Sequence, residues 1–153
     1  MADISTFVDT ASAEETRALG ARLGAVLEPG DVIALEGDLG SGKTELVRGI
    51  AEGLGVTGNV HSPTFVLHHR YAGRIPLEHY DLYRLAGSSW IDTGLDEPAE
   101  DAVAVIEWPA RAAALEEWAT IQIDLATLGE SERRLTLRRA PDRVRRVFDA
   151  AGD

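Results

Sequence analysis

Apolar residues along the chain change their spacing several times, and each change marks an element. From Ala13 to Leu27 the positions Leu19, Leu23, Val26 and Leu27 recur at helical spacing, and Ser12 followed by Glu15 supplies a capping box ahead of them. Pro29 and Gly30 end that helix. Asp31 to Glu36 is an apolar, partly β-branched run of strand length, and a glycine-rich loop leads from it into a second helical stretch, Thr44 to Leu54, closed by Gly55. Two extended runs, Thr64 to Tyr71 and Pro76 to Leu85, flank the turn Ala72-Gly73-Arg74 and predict a hairpin. Gly87 to Pro98 reads as loop with short helical pieces. Ala102 to Glu107 is the most strand-like stretch after the first, and Pro109 suits the first turn of a helix reaching about Glu117. Thr120 to Leu125 and Arg134 to Arg138 alternate with period two around Gly129-Glu130-Ser131, which predicts a terminal antiparallel pair.

The length of 153 residues fits one compact domain, 1–153, without internal repeats or a low-complexity linker. The absence of cysteine excludes a disulfide framework or a thiolate zinc site and suits a reducing cytosol. No run approaches the roughly 18 apolar residues of a membrane span, and the N-terminal residues lack the regions of a signal peptide. A soluble cytoplasmic protein with no membrane partner is expected. The net charge of −11 argues against a chain that wraps nucleic acid by itself, since phosphate repulsion must be overcome by clustered Lys and Arg. The charge is uneven, however: Arg133, Arg134, Arg138, Arg139, Arg143, Arg145 and Arg146 face a single acid, Asp142, within 133–146. This Arg-rich C-terminal segment either pairs with the chain's own acidic surface or docks RNA or an acidic protein.

Chemistry enters with Gly37-Asp-Leu-Gly-Ser-Gly-Lys-Thr44, a complete P-loop pattern lying between a buried strand and a helix start. Lys43 is the sole lysine of the chain. Glycines let backbone amides turn toward phosphate oxygens, the helix end adds partial positive charge, and a lysine spans the terminal phosphates. The candidate cradle comprises Asp38, Gly40, Ser41, Gly42, Lys43, Thr44 and Glu45, with the Thr44 hydroxyl on Mg²⁺. A sole lysine leaves no Asn-Lys-x-Asp element for guanine, so ATP is expected. Val103-Ala-Val-Ile-Glu107 is an apolar strand ending in an acid, where P-loop enzymes hold the magnesium hydration shell; Glu107 is the second metal-site candidate. Asp81 lies near the end of another extended run and is either a water-orienting or metal-linked carboxylate or an acid paired to Arg84. His61, His68, His69 and His79 are assigned packing or surface roles in preference to zinc, because adjacent strand residues such as His68 and His69 point to opposite faces.

Together with Ser62-Pro-Thr-Phe65, His79-Tyr-Asp-Leu-Tyr-Arg-Leu85 and Ile106-Glu-Trp-Pro109, the loop resembles the TsaE family of small bacterial ATPases in tRNA threonylcarbamoyladenosine biosynthesis, from about Thr16 to Arg111. The resemblance implies a P-loop NTPase-like α/β fold, a mostly parallel central sheet flanked by helices with antiparallel strands added. It also implies ATP and Mg²⁺ as cofactors, TsaB and TsaD as partners, and tRNA as the molecule modified. By position it makes Lys43 the phosphate contact and Thr44 and Glu107 the magnesium residues. Asp81 becomes a catalytic carboxylate, acting by orienting water or as a base. Trp108 becomes a residue near the nucleotide, with core packing as its alternative, and Ser62 to Phe65 a switch-like segment. Glu45 stands where the family commonly has Thr or Ser, leaving its backbone N–H for the α-phosphate, and Pro98 stands where an aromatic is common. Two rival functions are a small-molecule kinase and a non-hydrolytic nucleotide-dependent switch.

Overall fold

A computed structural model describes residues 6–37, 41–58, 60, 68–82, 98–107 and 118–152. In chain order they form β1 (Thr6–Thr10), α1 (Ala13–Val26), β2 (Val32–Glu36), α2 (Lys43–Gly53), β3 (His68–Tyr71), β4 (Leu77–Asp81), β5 (Val103–Glu107), β6 (Ile121–Thr127), β7 (Arg133–Arg139) and α3 (Asp142–Ala151). The strands make one sheet in the order β1-β7-β6-β2-β5-β4-β3. Its middle, β6-β2-β5-β4, is parallel, while β7 and β1 extend one edge and β3 the other in antiparallel pairings. The fold expected from the family resemblance is therefore the fold observed.

Strand position follows from side-chain chemistry. All five residues of β5, Val-Ala-Val-Ile-Glu, are buried, as suits a central parallel strand. In β7 only Leu135 and Leu137 are buried, so the alternation turns the arginines away from the core. One face of the sheet, including Ile33, Leu35, Val103, Val105, Ile121 and Ile123, shares a core cluster with Leu19 and Leu23 of α1 and Leu46, Val47 and Ile50 of α2.

The Ser12 cap is present: Glu15 N donates to Ser12 Oγ at 3.1 Å. The returning carboxylate accepts from Ala11 N at 3.3 Å, one residue upstream of the usual capping box. The expected hairpin is β3–β4, and the expected terminal pair is β6–β7. Two elements were not anticipated, β1 and α3. The helix expected from Pro109 to Glu117 and most of the loop from Gly87 to Pro98 lie outside the described residues.

The Arg-rich segment is an edge-proximal strand plus an amphipathic helix. Arg134 pairs with Asp9, Arg138 with Asp124 and Arg145 with Asp142. Arg143 reaches furthest inward, donating to Val26 O at 3.1 Å and to Asp31 Oδ1 at 2.6 Å, which ties α3 to the end of α1 and the start of β2. For these four arginines the intramolecular alternative holds. Arg146 is exposed.

Candidate functional site

The site is built on the C-terminal ends of the parallel strands, where α/β sheets place their ligands. β2 ends at Glu36, and the chain returns as α2 from Lys43. Gly42 is the N-cap of α2 in the left-handed conformation, φ 97°, and no side chain caps the helix. No side chain therefore occupies the start of α2, where the helix end favours an anion. Gly37 has no room for a side chain: a Cβ there would lie 2.7 Å from Ser41 Oγ and 2.8 Å from Leu125 O. That close approach presses the loop against β6. Lys43 is buried at 6% exposure, and its Nζ donates to Gly37 O at 2.7 Å. Ser41 is fully buried, and its Oγ has no hydrogen-bond partner within the protein. An orphaned hydroxyl, an uncapped helix start and a buried ammonium group fit a phosphate chain.

Asp81 and Glu107 are cross-strand partners at the ends of β4 and β5, and Glu107 is in turn opposite Leu35 of β2. Leu82 N donates to Glu107 O at 3.0 Å, extending the ladder past both carboxylates. The parallel register therefore holds the two acids side by side, Glu107 one strand and Asp81 two strands from β2, which feeds the loop that carries Lys43 and Thr44. Among the described residues no three His, Cys, Asp or Glu side chains converge as a metal cage. A P-loop magnesium requires none, since waters, phosphate oxygens and one hydroxyl fill most of its positions.

Glu107 is 4% exposed, and its Oε2 is held by Nε2 of His79, which is fully buried. His79 lies two residues before Asp81, so the strand alternation puts both on one face of β4. The other face carries a separate network. Glu78 accepts from Arg70 Nη1 at 2.9 Å, Tyr80 Oη at 3.1 Å and Ala99 N at 3.3 Å. His68 stacks on Tyr80 with centroids 4.3 Å apart. Burial lowers the His68 pKa from its ordinary value of 6.5, partly offset by Glu78 and reinforced by His69, Arg70 and His79.

The glutamate at the unusual loop position, Glu45, binds Arg48 Nη1 of its own helix at 2.6 Å, which turns its carboxylate along α2. Asp38, Gly40, Trp108, His61 and the segment Ser62 to Phe65 lie outside the described residues. Two neighbours of the site escaped the sequence reading. His79 was legible from the alternation that relates it to Asp81. Arg133 was not: it comes from β7, its Cγ lies 3.6 Å from where a Gly42 Cβ would stand, and its Nη1 donates to Gly129 O, Glu130 O and Glu132 O. A cavity of about 470 Å³ is lined by Arg17, Arg48, Glu52 and Val60, toward the later part of α2 and away from Lys43.

A glycine-rich loop joining a parallel strand to an uncapped helix, with acids on adjacent strand ends, defines an α/β domain of P-loop-like architecture. The family model for TsaE, described as threonylcarbamoyl adenosine biosynthesis protein, matches residues 10–135, and the chain belongs to this family. Its role is therefore in tRNA threonylcarbamoyladenosine biosynthesis. It is 42% identical over 129 residues to the Bacillus subtilis tRNA threonylcarbamoyladenosine biosynthesis protein TsaE, covering 83% of this chain and 81% of that one. The Treponema pallidum protein of the same description is 41% identical over 128 residues, covering 82% and 95%. The crystal structure of Bacillus subtilis YdiB matches with a TM-score of 0.72 at 33% identity, covering 99% of this chain and 96% of that one.

Proposed function

We propose that this chain is a cytoplasmic, single-domain, magnesium-dependent ATPase whose hydrolysis of ATP supports TsaB-like and TsaD-like partners in modifying tRNA. The observation that carries this reading is the register pairing of Asp81 with Glu107 beside the strand that feeds the loop of Lys43. Backbone amides from Asp38 and Gly40 to Glu45 hold the phosphates. The Lys43 ammonium exchanges its bond to Gly37 O for terminal phosphate oxygens. The Thr44 hydroxyl and the Glu107 carboxylate hold the metal shell, and Trp108 lies near the nucleotide. Bound Mg²⁺ supplies neutralisation of the charge developing on the phosphates. Asp81 orients the attacking water, and positioning does most of the work. tRNA is reached through the partners, with at most weak contact from the C-terminal arginines.

Asp81→Ala should lower kcat by about a hundredfold or more while ATP affinity changes little. Free phosphate release by the purified protein, alone and with TsaB, TsaD and tRNA, measures this. Undiminished turnover removes Asp81 from the mechanism, and a phosphorylated small-molecule acceptor in place of free phosphate would favour a kinase.

A further inference from the structure

His79 is fully buried in a strand whose neighbours on the same face are Leu77 and Asp81. Its Nδ1 has no hydrogen-bond partner, and among the described residues the ring's single hydrogen bond is the one from Nε2 to Glu107 Oε2. A buried imidazole with one nitrogen orphaned is costly to retain for packing alone, because an apolar side chain would fill the same space without the desolvation penalty. What the imidazole supplies is direction. A carboxylate at a strand end can rotate about its side-chain torsions, and one N–H donor on Oε2 restricts that rotation while leaving Oε1 for another partner. His79 sits two residue pairs below on the same face, opposite Val105, and therefore approaches Glu107 from the interior of the strand rather than from its end.

We propose that His79 is the positioning residue of the magnesium side of the site, clamping Glu107 through Nε2 so that the remaining carboxylate oxygen is presented to the metal's hydration shell. The inference rests on the reading of Glu107 as a metal-shell residue. Partners of this kind typically change metal affinity by 10- to 100-fold when removed. His79 touches neither nucleotide nor water in this arrangement and acts only through Glu107.

Gln and Asn separate the two ring nitrogens, since the Gln amide reaches the position of Nε2 and the Asn amide only that of Nδ1. Affinity for a fluorescent ADP analogue is measured with excess EDTA and across a MgCl₂ titration, for the full chain and its His79→Gln, His79→Asn and Glu107→Ala variants. The Mg²⁺ dependence of kcat is recorded alongside. His79→Asn should raise the half-saturating Mg²⁺ concentration about tenfold with affinity in EDTA unchanged, and His79→Gln should restore it to near the parent value. If Glu107→Ala shifts the Mg²⁺ midpoint while both His79 variants keep the parent value, the clamp is wrong and the Glu107 reading stands. If no variant shifts it, the Glu107 reading fails and the clamp with it. Should His79→Asn not fold, His79→Leu replaces it as the variant without a donor: a midpoint raised about tenfold supports the Nε2 clamp, and a parent-like midpoint overturns it.

Discussion

Replacing Gly49 by Ala tests whether the phosphate helix is held by backbone contact rather than by side chains. Gly20 and Gly24 of α1 face Gly49 and Gly53 of α2, and at every one of the four an added Cβ would fall within 2.5 Å of a carbonyl oxygen of the other helix. At Gly49 the Cβ would stand 2.0 Å from Arg17 O and 2.9 Å from Gly20 Cα. An ordinary carbon to oxygen approach is about 3.3 Å or more, so the helices must part by about 1 Å. No rotamer change relieves the clash, because both walls are main chain. Parting the helices also loosens Leu23 against Leu46 and Ile50, side chains that are at most 1% exposed, and a gap of that size forfeits a quarter to a half of each contact. Overpacking costs about 3 kcal/mol at the upper end of its usual range. Alanine returns up to about 1 kcal/mol through helix propensity. The net loss is about 2 kcal/mol, or roughly 4–8 °C in Tm for a chain of this size. Thermal and urea unfolding measure it, with Gly58→Ala as the control, since nothing lies within 4 Å of that Cβ. A Gly49→Ala protein that melts with or above the parent would refute the close-contact account.

Arg143→Ala should cost about 2 kcal/mol, because it leaves the buried Asp31 carboxylate without its guanidinium, whereas exposed Arg146→Ala should fall within about 0.5 kcal/mol of the parent. Equal urea midpoints for the two would remove Arg143 as the tie between α3 and the sheet. His68 is held neutral by burial, so its folded pKa lies below 6.5. The unfolded chain then binds the proton more readily, and this contribution to stability is complete above pH 6.5 and lost as pH falls through the folded value. His68→Phe, which keeps an aromatic ring against Tyr80, should flatten the decline of the urea midpoint between pH 7 and pH 5; an unchanged slope would assign the decline to other groups.

What could be read from the chain follows from how local each feature is. The P-loop is a contiguous pattern fixed by backbone geometry, and Gly37 and Gly42 are glycines for reasons visible in a few neighbouring atoms. The central strands are legible because burial on both faces makes them uninterrupted apolar runs, as in β5. β1 is not: only Val8 and Thr10 of its five residues are buried, and its place depends on β7, more than a hundred residues later. α3 was hidden by its charge. Arginines at 143, 145 and 146 read as a basic tail, while the apolar stripe of Val144, Val147 and Phe148 that docks the helix is only three residues long.

The acids show the same division more sharply. Sequence alone nominates Asp81 and Glu107 because each lies at or near the end of an extended run, and it cannot say that they are neighbours. Parallel pairing of β4 with β5 makes them so, and it requires a long crossover, residues 82–102, that neither acid specifies. The same pairing carries His79 under Glu107. A histidine that looks like one of four scattered imidazoles in the sequence becomes, once the register is known, the only described side chain hydrogen-bonded to the buried carboxylate. Register converts a local pattern into a site here, and the two carboxylates and the imidazole should therefore respond to mutation as a unit. Substitutions at His79 and Glu107 that each weaken magnesium binding should, when combined, weaken it no further than Glu107→Ala alone.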